Sequence, residues 1–587
     1  MKKPKSPSND IWISRTLALL LPFLLLSLVG WTVDRQDLKG GAGQSDCDPM
    51  TACFLDLIMT LMPIKNANDH PVGPNQQVPW SQGPEDPPVD PPPNIVVILA
   101  DDMGFNDISL YNGETTSTIP TPEIDSLAAQ GVVFTNGYAA NATCAPSRAA
   151  LVTGRYPTRF GFEFTPIFKI GYTLFDLMDR GCSTDPYPLI LDMELANQLP
   201  ELEELGMPPS EITLAETLKG AGYHTVHIGK WHLGGTGESR PEQQGFDESL
   251  YLSGTLYLPE DSPDVVNAKL LDFSPIDWMM WASSWYGAQY NGGPEFEPGG
   301  YLTDYYTDEA VKVIEANRNR PFFLYLSHWG IHNPLQAKRE DYDALSHIGD
   351  HRLRVYAAMI RALDRSVGRV MAALAANGLV DNTLVIFTSD NGGAPYVGLP
   401  DINHPYRGWK TTFFEGGIHV PYFMSWPGTI GAGTTYDKPV THFDIFATAA
   451  AAAGAALPGD RTIDGVNLVP YVTGTATGEP HQILFWRSGH YQVVLSKDAG
   501  TGHWWKMSVA DTPDKVWLYN LSTDPTEQTN LAASMPAKIA ELQALLDAHN
   551  AEQAEPIWPY VLEDYVTIDK TDEELLLPED EYIYWPN

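Results

Sequence analysis

Cysteine is scarce, with four residues in 587: Cys47, Cys53, Cys144 and Cys182. So few sulfurs exclude a disulfide scaffold. Cys47 and Cys53 are close enough to pair in an oxidising compartment, and a bridge from Cys144 to Cys182 is the plain structural reading of the other two. Basic residues are few as well, 36 against 74 acidic ones, for a formal net charge of −38. That excludes nucleic acid as a partner, because its affinity rests on Lys and Arg neutralising phosphates. It also argues against broad adhesion to anionic membranes. An anionic substrate must then be caught by a locally positive site working against the global field. Internal repeats are missing too.

Long apolar runs suited to a membrane are lacking beyond the N-terminus. There Lys2, Lys3 and Lys5 precede an apolar stretch from Leu17 to Val29, shorter than the ~20 residues a span prefers. No clean small-x-small cleavage site and no lipobox cysteine follow. The segment, residues 1–33, reads as an export signal, either cleaved or kept as a membrane anchor. Both place the main body outside the cytoplasm, in the periplasm, at the cell surface or beyond it.

What is present begins with a core: 43% of residues are hydrophobic, enough for a large interior. Residues 34–93 are acidic, then proline-rich, ending in "GPEDPPVDPPPN". Prolines this dense extend as polyproline II, so the stretch reads as a semi-rigid spacer. The main domain is expected over 94–475. "NIVVILADD", "PFFLYLSHWGIH" and "TLVIFTSDNGG" share one design, an apolar strand followed by polar residues at its carboxyl end. Helical patterns lie between them: "TPEIDSLAAQG", with Pro122 in its first turn, and a long amphipathic run over 351–377. Alternating strands and helices predict an α/β fold with a largely parallel sheet and helices on both faces. Ligands of such sheets gather at the carboxyl ends of the strands. Residues 476–587 predict hairpin strands, a helix near 536–553 and an acidic, aromatic tail, together a small C-terminal α+β subdomain. The tail suggests no function.

The chemistry-bearing residues fall at that carboxyl edge. Asp101 and Asp102 end one strand, and Asp390 and Asn391 end another; clustered carboxylates and an amide carbonyl suit Ca²⁺ or Mg²⁺, and would repel one another without a cation. Lys230 and His232, in "GKWHLGG", share one face if that segment is extended. His332 stands in "IHNPLQA", with His328 a weaker candidate nearer the strand. Lys410 lies in the Gly-bounded loop "RGWKTTFFEGG". With Arg148 these make a metal cage beside cationic and acid/base groups suited to an oxyanion.

"CAPSRAALVTG" matches the C-x-P-S-R-x-x-L-x-T-G signature of the formylglycine-dependent sulfatases. "NIVVILADDMG", "GKWHLG", "HNPLQA", "SDNGG" and "RGWKTTFFEGG" resemble that family's other blocks, in its order, and the resemblance spans residues 94 to 531. It implies an alkaline-phosphatase-like three-layer α/β architecture and a sulfate-ester hydrolase acting on sulfated poly- or oligosaccharides or aryl sulfates. It implies that a separate maturase, reading Pro146 and Arg148, oxidises Cys144 to formylglycine. One hydroxyl of the hydrated aldehyde attacks sulfur and displaces the substrate alcohol; the other then collapses to the aldehyde and expels sulfate. By the same resemblance Asp101, Asp102, Asp390, Asn391 and residue 144 hold Ca²⁺, Arg148 bonds the modified residue, and Lys230 and Lys410 offset sulfuryl charge. His332, with Lys410, protonates the leaving alkoxide, and His232 takes a proton from the second hydroxyl. Cys144 opens a helix whose N-terminus favours an anion.

This chain departs from the family at His419, where many members carry Arg, and in the stretches 163–207 and 249–300. The second holds Trp278, Trp281, Trp285, Tyr286 and Tyr290, which either stack on sugar rings or pack an insertion. Two other functions fit part of the pattern: a phosphodiesterase or phosphonate monoester hydrolase of the same superfamily, and a non-catalytic, exported glycan-binding protein whose Cys144 stays a thiol.

Overall fold

Continuous apolar runs become strands buried on both faces. In the computed structural model, which describes residues 70–587 apart from 112–118, 182–186 and 271–273, strand β1 spans Asn94–Ala100 and every residue of it is buried. Its alternate side chains enter different cores. Val96, Ile98 and Ala100 join one cluster and Ile95, Val97 and Leu99 the other, as the two-residue period of a strand requires. The first cluster gathers helices α1 (Pro122–Ala129), α4 (Leu302–Ala316) and α5 (His351–Ala376); the second gathers α2 (Cys144–Thr153), α3 (Leu214–Gly220) and α6 (Phe443–Ala452). Helices on both faces of one sheet make the expected three-layer α/β sandwich.

The sheet has ten strands. Besides β1 they are β2 (Val132–Phe134), β3 (His224–Gly229), β4 (Glu248–Leu252), β5 (Ala288–Tyr290), β6 (Glu295–Phe296), β7 (Phe322–Ser327), β8 (Thr383–Ser389), β9 (Tyr422–Ser425) and β10 (Thr434–Tyr436). Their order is β10-β2-β9-β8-β1-β7-β3-β4-β5-β6. The run β8-β1-β7-β3-β4 is parallel, whereas β9 and β5 join antiparallel at its sides. The carboxyl ends of β8, β1, β7 and β3 therefore lie side by side. Their loops turn tightly there. Gly229, ending β3, has φ of 107° and its missing Cβ would stand 1.9 Å from the Ser327 carbonyl, so only glycine fits.

The C-terminal part is a four-stranded antiparallel sheet, β11 (Ile483–Ser488), β12 (Tyr491–Lys497), β13 (Trp504–Asp511) and β14 (Asp514–Asn520), backed by α7 (Pro536–Asn550). The acidic tail folds as well: β15 (Leu562–Thr567) and β16 (Tyr582–Pro586) pair antiparallel, and β15 also pairs with residues 190–191. Of the stretch expected to act as a spacer, residues 70–93 lie on the body. Val78 and Trp80 are buried in the first core, and Trp80 Nε1 donates to Glu309 Oε2 at 2.7 Å. The export segment, Cys47, Cys53 and Cys182 fall outside the described residues. No helix among the described residues is long and apolar enough to cross a membrane.

Candidate active site

Four strand ends meet around one buried side chain. Arg148 lies one turn into α2 and is fully buried. Its guanidinium reaches Asp390 Oδ2 through Nε at 2.8 Å and Nη2 at 2.7 Å, Asp101 Oδ1 at 3.5 Å, the Lys230 carbonyl at 3.2 Å and the Ser327 hydroxyl. It thus ties together the ends of β8, β1, β3 and β7. Arg148 therefore holds the carboxylates in place beside residue 144. Asp390 and Asp101 outweigh the cost of burial and raise the already high Arg148 pKa, so its charge is permanent.

Cys144 opens α2 beside these groups, its Sγ 3.6 Å from Asp101 Oδ1 and 3.7 Å from Asp102 Oδ1. It is a free thiol; Cys182, its expected partner in a bridge, lies outside the described residues. Burial pushes its pKa up despite Lys230 and Lys410 nearby, and a thiol held protonated is a poor nucleophile.

Two ammonium groups face the carboxylates. Lys230 Nζ lies 2.9 and 2.8 Å from the oxygens of Asp101, and Lys410 Nζ 2.7 and 2.8 Å from those of Asp102. Burial alone would raise the Asp102 carboxyl; Lys410, His332 and Lys230 together hold it well below the usual carboxylate range. Asp390 runs the other way, pushed up by burial and by Asp101. Asn391 Nδ2 donates to Asp102 Oδ1 at 2.9 Å, while its Oδ1 is buried without a hydrogen-bond partner.

His332 completes this group. One ligand atom from each of Asp101, Asp102, Cys144 and His332 lies within 4.8 Å of the others, so the histidine expected only as an acid stands within reach of a shared cation. Burial, reinforced by Lys410 and Lys230, pushes its pKa down to about 3. Its Nδ1 donates to the Asn333 carbonyl at 2.6 Å, which leaves Nε2 as the acceptor facing Lys410 Nζ at 3.4 Å.

His232 arrives by a route other than the extended segment first expected. Its φ is 64°, so a left-handed turn places it. The turn follows because Gly229 and Gly234, both at positive φ, bend the "GKWHLGG" loop where an extended strand would carry Lys230 and His232 onward. Burial, with Lys230 and Arg148, holds His232 neutral, and its Nδ1 is buried without a partner. His328 bonds Ser366 Oγ of α5 at 2.8 Å instead. His419 bonds Glu415 at 2.9 Å and the Thr135 carbonyl at 2.8 Å.

The sequence did not single out Tyr396 or Trp329. The Tyr396 hydroxyl donates to Asp102 Oδ2 at 2.7 Å and accepts from Lys410 Nζ at 3.0 Å. The Trp329 ring stacks on His332, centroids 4.1 Å apart, with Lys230 Nζ 4.7 Å over its face. A tyrosine in "APYVG" and a tryptophan beside a histidine carry no spacing signal. The aromatics of 249–300 mostly pack: Trp281 is buried, Trp285 stacks on His70 and bonds Glu295, and Tyr286 and Tyr290 bond Pro298, Gly300 and Glu248.

Comparison with known proteins adds to this geometry. A family model described as Sulfatase matches residues 93–455, and one described as N-sulphoglucosamine sulphohydrolase, C-terminal, matches residues 407–554. The chain is 34% identical over 423 residues to N-acetylgalactosamine-6-sulfatase of Mus musculus, covering 70% of this chain and 72% of that one. Among solved structures, Ps i-CgsB in complex with k-i-k-neocarrahexaose is similar at a TM-score of 0.64 and 29% identity, over 80% of this chain and 94% of that one. Phosphonate monoester hydrolase of Agrobacterium radiobacter shares the fold at a TM-score of 0.51 and 21% identity, over 78% of this chain and 96% of that one.

Proposed function

The chain belongs to the sulfatase family and is a sulfuric ester hydrolase; from that premise we propose that it desulfates a glycan outside the cytoplasm, using a formylglycine made from Cys144 and a Ca²⁺ ion. The observation that carries the reading is the buried, unpartnered Asn391 Oδ1 among Asp101, Asp102 and Cys144, with two lysines opposite.

The residues fit a hard cation. Asp101, Asp102, Asp390 and Asn391 offer oxygen ligands, the set Ca²⁺ prefers, whereas Mg²⁺ keeps more of its water. When bound, the ion supplies charge to a sulfate oxygen and to a hydroxyl of the modified residue. A protonated, buried thiol explains the need for modification at Cys144, carried out by a separate maturase.

The chain's own groups supply the rest. Lys230 and Lys410 neutralise the sulfuryl oxygens in a site from which water is largely excluded. Neutral His332 accepts from Lys410, so the pair holds one proton between Nζ and Nε2, ready for the leaving alkoxide. His232, neutral and with Nδ1 unpaired, is available to accept a proton as sulfate is released. Arg148 positions the carboxylates. The glycan assignment draws on the relatives, one an N-acetylgalactosamine-6-sulfatase and one solved with a neocarrahexaose. The N-terminal export segment, cleaved or retained as an anchor, supports the location.

The test is turnover of an aryl sulfate and an aryl phosphodiester by one preparation of the full chain, before and after chelation. Preferred sulfate turnover, lost on chelation and restored by Ca²⁺, is expected. A clear preference for the diester would move the assignment to the phosphonate-hydrolase side of the fold, and full activity after exhaustive chelation would remove the cation.

A further inference from the structure

The acidic tail that the sequence left without a function lies behind the two loops that bring Tyr396 and Lys410 to Asp102. Both family models end before it, the later at residue 554. Arg407, three residues before Lys410, forms a two-pronged pair with Asp569, Nε to Oδ1 and Nη2 to Oδ2 both at 2.6 Å. Its Nη2 also meets Glu581 Oε2 at 2.8 Å. Glu581 is in turn bonded by Trp517 Nε1 at 2.8 Å and by Lys515, both on β14, and these donors hold its carboxyl down to about 2 against the effect of burial. The next residue, Gly408, donates its amide to the Ile568 carbonyl at 3.1 Å. The Tyr396 loop is held from the same side. Arg352 grips Glu573 with both terminal nitrogens and donates to the Gly398 carbonyl at 2.8 Å.

Planar guanidinium–carboxylate forks fix direction as well as distance. One tail segment, residues 568–581, therefore fixes two loops whose side chains meet 3.0 Å apart at the proposed ligand Asp102.

We propose that the acidic C-terminal tail is a positioning element of the reaction, acting through Arg407 to set the placement of Lys410 against Asp102 and Tyr396. The role rests on the sulfate-ester reading of the site. Arg407 touches no reacting group; it acts through the backbone that leads to Lys410.

The experiment uses the full chain carrying Asp569→Asn and Glu581→Gln together. Hydrogen exchange should quicken selectively in peptides covering residues 395–412. Turnover of an aryl sulfate should fall about tenfold in kcat with KM nearly unchanged, the mark of a displaced group that acts in the transition state. Asp569→Glu, which keeps the carboxylate, should recover much of the rate. Unchanged exchange in those peptides would show that the tail does not hold the loops. Faster exchange with unchanged kcat, or a loss of rate that follows a general fall in Tm, would overturn the positioning role. An unsubstituted chain, made alongside a formylglycine-generating maturase, without any sulfate turnover would instead sink the sulfate reading and this role with it, while the exchange result would still decide whether the tail fixes the loops.

Discussion

Two buried ionic clusters among the described residues are built from the same kinds of residue, and one of them is the candidate site. In the active-site cluster Lys230 and Lys410 face Asp101, Asp102 and Asp390. In the other, where the C-terminal sheet meets the Lys410 loop, Lys506 on β13 lies 2.8 Å from Glu415 and 3.0 Å from Glu527. Glu415 also accepts from Tyr138 at 3.0 Å and from His419 at 2.9 Å, and Glu527 accepts the Glu415 amide at 2.7 Å. The junction cluster is closed: Lys506 and Glu527 are 0% exposed, whereas Lys410 and His332 each keep 7%. The active-site cluster also holds unpartnered atoms at Asn391 and His232, whereas Glu527 Oε1 of the junction cluster, which makes no hydrogen bond, still has Lys506 Nζ at 3.0 Å. Buried charge alone therefore marks nothing; a trace of exposure and unspent hydrogen-bonding capacity distinguish chemistry from architecture.

The distinction breaks most visibly by substitution of one lysine from each cluster. Lys506→Ala strands two carboxylates in the interior and should cost about 3–5 kcal/mol of stability, read by chemical unfolding. Lys410→Ala should instead lower kcat/KM about 10²- to 10³-fold, with a smaller loss of stability than Lys506→Ala because Tyr396, Asn391 and Lys230 still face Asp102. Equal losses of stability in both variants would erase the difference between the clusters.

A smaller effect sharpens it through pH. Asp277 supports the His332 loop, accepting from the Leu270 amide at 2.7 Å and from Asn333 at 3.4 Å. Burial pushes its carboxyl up to about 6. A carboxyl raised on folding contributes stability that is fully present below its ordinary value of about 4 and is lost as pH rises through about 6. Asp277→Asn should flatten that loss by up to about 3 kcal/mol between about pH 4 and 7. An unaltered pH slope of unfolding would contradict it. The smallest change expected is that of Tyr396→Phe, an approximately tenfold fall in kcat/KM, from loss of a hydrogen bond to a charged group worth about 1.5 kcal/mol. A steady-state comparison with the unsubstituted chain checks it.

The strands were readable because burial on both faces leaves no polar alternation, and "NIVVILADD" and "TLVIFTSDNGG" show it directly. The carboxylates at their ends were readable because parallel strands align those ends, whatever the loops between them do. Helix α2 was readable from Pro146 in its first turn. Tyr396 was not, since its partners Asp102 and Lys410 lie far away in sequence and a lone loop tyrosine has no period. The turn at His232 stayed hidden because alternate residues suggest a strand until the glycines beside them adopt positive φ. Lys506 was not singled out, since only packing against the 407–419 loop makes this strand lysine interior. The tail suggested no function because the guanidiniums that neutralise it, Arg407 on a loop and Arg352 at the start of α5, are distant in sequence.

The central claim is that residue 144 works as formylglycine, and mass spectrometry of the peptide containing it, from chain made alongside a formylglycine-generating maturase, tests that most directly. The account predicts an aldehyde at position 144, lighter than cysteine and inert to thiol alkylation. An alkylatable thiol, or a disulfide to Cys182, in a preparation that turns over aryl sulfate would contradict it.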